Sequence, residues 1–337
     1  MFAHRDVEKI GKQALSACIA VTLLPCLAAA QQFARVGTAG AQFLKIGVEA
    51  RAVGMGEACA ALDDLGAGAL FWNPANVAAT EGSDLMLHHA SWIADVNLNA
   101  AALSTTLGDY GTFGLSLSSL SSGEMEVTTV EQQDGTGQTF TTSNLMVGLT
   151  YAKKVTDRFC MGGTVKYVGE RLEERRAKTF CFDVGMLYNT GYRSLKFGAA
   201  VLNFGAPLTL DGEYQNYDNG TLLSEKRPFN SYHLPMIFKV GMSWEVETTE
   251  GQHLLTTIDA IHPRDNVEMV NVGAEYRLFE GLALRGGYSS GHDTRGMSFG
   301  AGFHVSSGSV GEFDIDYAYT DYGVLDGVQR VSMNVHF

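Results

Sequence analysis

From about residue 83 to the carboxyl terminus the chain repeats one pattern: roughly ten residues of strict apolar/polar alternation, then a turn rich in Gly, Asp, Asn or Ser. Successive Cβ atoms of a strand point to opposite sides of its sheet, so this alternation gives every strand one apolar and one polar face. The last strand is the clearest. Val331, Met333, Val335 and Phe337 fall on one side, and Arg330, Ser332, Asn334 and His336 on the other. Phe238, Val240, Met242 and Trp244 alternate in the same way with Lys239, Gly241, Ser243 and Glu245. The pattern predicts fourteen strands, over 84–91, 95–107, 111–122, 139–153, 158–171, 178–190, 194–204, 232–246, 253–262, 267–279, 282–290, 296–306, 311–321 and 328–337.

A water-soluble sandwich also alternates, and the distribution of charge separates the two architectures. The polar faces carry Lys166, Asp183, Lys196, Lys239, Glu245, Glu275, Arg277 and Arg285 in mid-strand, while the apolar faces are nearly free of charge and end in Tyr, Trp or Phe. That predicts an all-β transmembrane barrel of antiparallel strands, with a lipid-facing apolar band, aromatic girdles and a polar lumen. Glycines on the lumen face leave room for a filled interior. The strand number is even, and short connections at 108–110, 155–157, 191–193, 248–251, 279–281 and 307–310 alternate with longer ones, notably 123–138 and 205–231. Short turns face the periplasm and long loops the outside. The terminal aromatic, Phe337, is the expected signal to the barrel assembly machinery.

The chain before residue 83 divides in two. Arg5, Lys9 and Lys12, the apolar run Ala14–Leu27 and the small residues Ala28–Ala30 read as a cleaved signal peptide over 1–30, directing the protein to the bacterial outer membrane. No later stretch is long and apolar enough for a membrane helix. Residues 31–82 lack the strand pattern, and Asn73-Pro74 is a plausible start for a short helix running to about Ala79. A barrel of this width is not filled by its own wall side chains, so this partly helical segment is the expected plug, or hatch, of the 83–337 barrel; packing beneath the barrel is the alternative.

Composition narrows the chemistry. Lys+Arg number 24 against 37 Asp+Glu, a net charge of −13, which argues against nucleic acid as a partner. Past the signal peptide only Cys59, Cys160 and Cys181 remain, with no Cys-x-x-Cys, so they read as small buried residues, with a Cys160–Cys181 bridge as the alternative. No phosphate loop, zinc or calcium motif occurs, so neither a cofactor nor a metal is expected. Gly287-Tyr288-Ser289-Ser290-Gly291 matches a nucleophile elbow, but it ends a strand with no helical pattern behind it. His88-His89 with Asp95 could activate water at a barrel rim, and reads more simply as girdle and lumen polarity. No catalytic residue and no enzymatic activity are expected.

Three amino-terminal segments carry a resemblance: Gly40 to Gly47, Ala50 to Ala58, and Ala67 to Ala75 ending in Trp72-Asn73-Pro74-Ala75. Together they resemble the signature of the PorV/PorQ family, which is similar to the FadL-type fourteen-stranded barrels with an Asn-Pro-Ala hatch motif. The resemblance implies a type IX secretion component that meets outer-membrane lipid and binds exported cargo with a C-terminal signal domain, the translocon or an attachment complex. On that reading the long loop 205–231, with Tyr214, Tyr217 and Phe229, is the candidate partner-binding surface. The alternative is a FadL-like transporter of hydrophobic small molecules, in which Met55, Gly56, Trp72, Asn73 and Pro74 of the hatch line a ligand pocket.

Overall fold

Strand β1 (Ser83–Ser91) opens a wall that continues through β2 (Asn97–Thr106), β3 (Thr112–Ser121), β4 (Thr142–Thr156), β5 (Phe159–Leu172), β6 (Arg175–Asn189) and β7 (Lys196–Gly205). It goes on through β8 (Ile237–Thr249), β9 (Gln252–Pro263), β10 (Met269–Leu278), β11 (Leu282–Ser289), β12 (Met297–Ser307), β13 (Gly311–Asp321) and β14 (Gly327–His336). Each pairs antiparallel with the next, and β14 pairs with β1, so the fourteen strands form a closed barrel. The computed structural model describes residues 36–218, 221–249, 251–278, 281–292, 294–307 and 311–337; the expected signal peptide lies outside them.

The two faces separate as the alternation requires. Lys166, Asp183, Lys239, Glu275, Arg285 and Arg330 point inward and are buried. Phe180, Phe182, Val184, Phe299, Phe303 and Val331 lie on the outside and stay exposed, because lipid is their solvent. The seam between β1 and β14 runs from Asp84 opposite His336 to Ser91 opposite Gln329. It is finished by the last residue: Phe337 N–H donates to the Ser83 carbonyl (2.9 Å) and Ser83 N–H to the Phe337 carbonyl (2.8 Å). Deleting Phe337 removes both bonds and the terminal aromatic. The expected result is a smaller folded fraction in outer membranes, read as loss of the heat-modifiable gel band.

One rim carries tight turns, such as Leu107–Gly111, closed by the Leu107 N–H on the Gly111 carbonyl (2.9 Å). The opposite, external rim carries the long connections. Residues 206–236 form a two-tier hairpin where the sequence indicated a loop: Leu208–Thr209 pairs with Ser231–Tyr232 at its base, and Glu213–Asp218 pairs with Thr221–Pro228 above.

Residues 41–79 fold as short turns: a 3-10 turn at Gln42–Lys45, helix α1 (Ala50–Gly54), and 3-10 segments at Gly66–Phe71 and Asn76–Ala79. The helix expected from Asn73 to Ala79 is therefore only its last turn. Asn73 Oδ1 takes the Ala75 N–H (3.1 Å), and local side-chain bonds of this kind compete with helix propagation. The alternative of a disulfide is also corrected: all three cysteines are free and buried. Cys160 sits opposite Leu187 and Cys181 opposite Lys166 on the β5–β6 ladder, which puts them roughly 20 Å apart along the strands.

Candidate functional site

The lumen glycines are where the hatch meets the wall. A Cβ at Gly273 or Gly287 would collide with the backbone of Met55 and Gly56, one at Gly198 with the Ala60 carbonyl, and one at Gly162 or Gly185 with Pro74 and Asn73. Main chain therefore rests on main chain. Gly56 adopts φ +66°, a left-handed conformation that suits glycine, and its carbonyl accepts from Ser289 Oγ (2.9 Å). Met55 is fully buried beside it.

Asn73 is a hub. Its Nδ2 donates to the Ala60 carbonyl (2.7 Å) within the hatch and to the Met186 carbonyl (3.0 Å) on β6. Pro74 follows in the tight space left by Gly162 and Gly185. Trp72 is buried, donates from Nε1 to the Val48 carbonyl (3.0 Å), and carries the Lys239 ammonium 4.8 Å from its ring centroid. Sequence reading missed Asn76, whose Nδ2 reaches the Leu62 carbonyl (2.7 Å); the Asn-x-x-Asn spacing was its only signal.

Toward the periplasmic rim the hatch is held by charge. Glu275 of β10, fully buried, receives Arg51 of α1 (2.7 Å), Arg277 (2.8 Å) and Arg285 of β11 (2.5 Å). Arg51 also binds Asp64 (2.8 Å), and Arg285 binds Asp316 (2.6 Å). The Asp64 carboxyl, exposed to the cavity, is held below the ordinary carboxylate value by Arg51 and Arg277. Burial, helped by the Asp316 carboxylate, pushes Glu49 up to about 7. Glu49 caps α1 by accepting the Arg51 (3.0 Å) and Ala52 (2.7 Å) amides. Below this network a polar cavity of about 430 Å³ opens among Arg51, Asp64, Asp84, Asp314 and His336.

Toward the external rim a smaller cavity of about 90 Å³ lies between the hatch and the inner wall of β3–β5 and β7–β10, with His292 and Arg295 after β11. Above it, the candidate loop residues are partly spoken for. Tyr214 and Phe229 stack with centroids 5.4 Å apart, and Arg175 lies 5.8 Å from the Phe229 ring, so Phe229 is half-buried in holding the hairpin. Tyr214 is 36% exposed. Tyr217 pairs with Leu222 through the backbone, and its side chain lies outside the described residues.

The residues of the two weak enzyme motifs are not brought together. Ser289 binds the hatch carbonyl of Gly56 and Arg295, and β11 runs on without a following helix. His88 faces inward to Ser332 Oγ (2.9 Å), whereas His89 faces outward to Asn99 (2.8 Å).

A family model described as "Type IX secretion system protein PorV" matches residues 28–196, half of the chain. Among solved structures, the CymD monoaromatic hydrocarbon channel is 14% identical with a TM-score of 0.57, covering 86% of this chain and 98% of its own. The Ralstonia pickettii toluene transporter TbuX is 15% identical with the same TM-score of 0.57 and the same coverage, 86% and 98%. A Pseudomonas aeruginosa FadL homologue is 15% identical at a TM-score of 0.53, covering 87% and 99%. At these identities the likeness is one of fold. Comparison with curated proteins gives no match.

Proposed function

The chain belongs to the PorV family and is an integral barrel of the bacterial outer membrane, and from that premise we propose that it is a type IX secretion component that docks proteins on its external face. The observation that carries this reading is the two-tier hairpin of 206–236, which presents Tyr214 at the external rim above a lumen occupied by the hatch. Docking needs a shaped rim and no open route through the barrel. The ion pairs on Glu275 and the main-chain contacts at Gly273 and Gly287 would have to break for a solute to pass. The partners implied are exported proteins with a C-terminal signal domain, the translocon or the attachment complex.

The upper tier can be removed cleanly. Leu208 is buried and packs in the external cluster with Phe43, so the deletion should spare the 208–209/231–232 base and take out 213–228 alone. The expected result is a normally folded barrel that no longer co-purifies exported proteins or translocon subunits from outer membranes. Undiminished co-purification would refute the assignment of this surface.

The FadL-like transport reading is favoured by one observation, the pocket that Trp72 lines beneath the external loops. It predicts that Trp72→Ala and Asn73→Ala abolish uptake of a hydrophobic solute while partner binding survives; uptake retained in both variants removes it.

A further inference from the structure

The lining of the external cavity is rich in cations. Four cations line it, Lys45, Lys166, Lys239 and Arg295, against a single acid, Glu57. Three are matched by carboxylates: Lys45 by Asp265 (3.1 Å), Lys166 by Asp183 (2.5 Å) and Arg295 by Glu57 (2.5 Å). Lys239 is not. Its side chain enters from β8 and is 3% exposed, yet among the described residues no carboxylate lies within 4.0 Å of its ammonium and no acceptor hydrogen-bonds to it. Among the described residues its close contact is the face of Trp72. Asp259 on neighbouring β9 is a near neighbour on the ladder, with one oxygen on the Cys59 and Ala60 amides (2.8 and 2.9 Å) and the other buried without a hydrogen-bond partner, but it lies more than 4.0 Å from the Lys239 ammonium. An ammonium held inside the barrel with no oxygen in contact is costly, so the cavity it borders is suited to an anion.

The rest of the lining sets the kind of anion. Phe43, Leu44, Ile46, Phe71 and Met146 supply apolar walls, and Leu202 and Ile261 flank Lys239 on the barrel side. An anion bound here therefore keeps an apolar body against these walls while its charge meets Lys239. The volume of about 90 Å³ is well below the roughly 150 Å³ cavity that holds benzene, so the pocket encloses a body of only a few carbons. Leu44, Lys45, Ile46 and His292 are only half-buried, so the pocket opens toward the external loops.

We propose that this pocket is a binding site for a short-chain carboxylate, of about three to five carbons, with its carboxylate on Lys239 and its tail against Phe43, Ile46 and Phe71. The ligand touches the hatch through Phe43–Val48 and Trp72 and the wall through Lys239, so it ties the two together. The site does not depend on the docking role proposed above.

The test is calorimetric titration of the full-length mature barrel in lipid nanodiscs with butyrate and isobutyrate, with butyramide as the uncharged counterpart and inorganic phosphate as an anion without a tail. The expected result is saturable one-to-one binding of the acids, at least tenfold weaker binding of butyramide and phosphate, and a thermal midpoint raised by the acids. Lys239→Met should weaken acid binding at least tenfold, and Lys239→Arg should retain it, which separates loss of the site from loss of the fold. Three results would each overturn the proposal: no saturable binding of either acid, butyramide or phosphate binding as well as butyrate, or unchanged binding in folded Lys239→Met.

Discussion

Gly287→Val is expected to prevent the hatch from seating, whereas Gly286→Val, one residue away, should be silent. A side chain at Gly287 would drive into the backbone of Met55 and Gly56, while a Cβ at Gly286 has nothing within 4 Å. Overpacking a closed core costs roughly 1–3 kcal/mol and sometimes more, and here the obstacle is main chain, which cannot move aside by changing rotamer. The loss should fall at or above the top of that range. Urea-induced unfolding of the purified barrel in detergent, followed by tryptophan emission in a Trp92→Phe, Trp244→Phe background, measures it, because Trp72 in the hatch is then the reporter. Equal stability of the two variants would mean that the hatch is not pressed against β11.

Glu275→Gln should carry the largest electrostatic penalty in the protein. The side chain is fully buried and receives Arg51, Arg277 and Arg285, so neutralising it leaves three guanidinium groups sharing Asp64, Asp316 and the more distant Glu245. Removing one partner of a buried ion pair typically costs about 3–5 kcal/mol. Asp64→Asn provides the contrast. Its side chain is 42% exposed, solvent screens its pairs with Arg51 and Arg277, and the expected loss is below about 1 kcal/mol. The same unfolding assay ranks the two, and a larger effect at Asp64 would contradict the placement of Glu275 at the centre of the network.

Much of this architecture was legible because a barrel wall writes itself into sequence with period two. Arg330 and Ser332 could be placed inside, and Val331 and Met333 outside, from four consecutive letters. The lumen glycines signalled a filled interior for the same reason: each sits on the polar face of its strand, where a side chain would otherwise project. The hatch was less readable. Its turns are fixed by tertiary bonds, such as Asn73 to Met186 and Ala50 N–H to Ser332 Oγ (2.7 Å), between residues more than a hundred positions apart. The separation of Cys160 and Cys181 depends on strand register, which their spacing in sequence does not disclose. Lys239 was recognisable as a lumen charge, but its lack of a carboxylate partner emerges only when every neighbour is in place. Phe229 belonged to an apparent exposed loop until the hairpin turned it under Arg175 and Tyr214.

The central claim is that the external hairpin meets protein partners, and site-specific photocrosslinking in living cells tests it most directly. A photoreactive amino acid at Tyr214, on the external hairpin, is compared with one at Tyr192, which is exposed in a short turn on the opposite rim. The account predicts adducts with exported proteins carrying a C-terminal signal domain, or with translocon or attachment subunits, at Tyr214 and not at Tyr192. Adducts with those proteins at Tyr192 alone, or none at Tyr214 in a folded barrel, would contradict it.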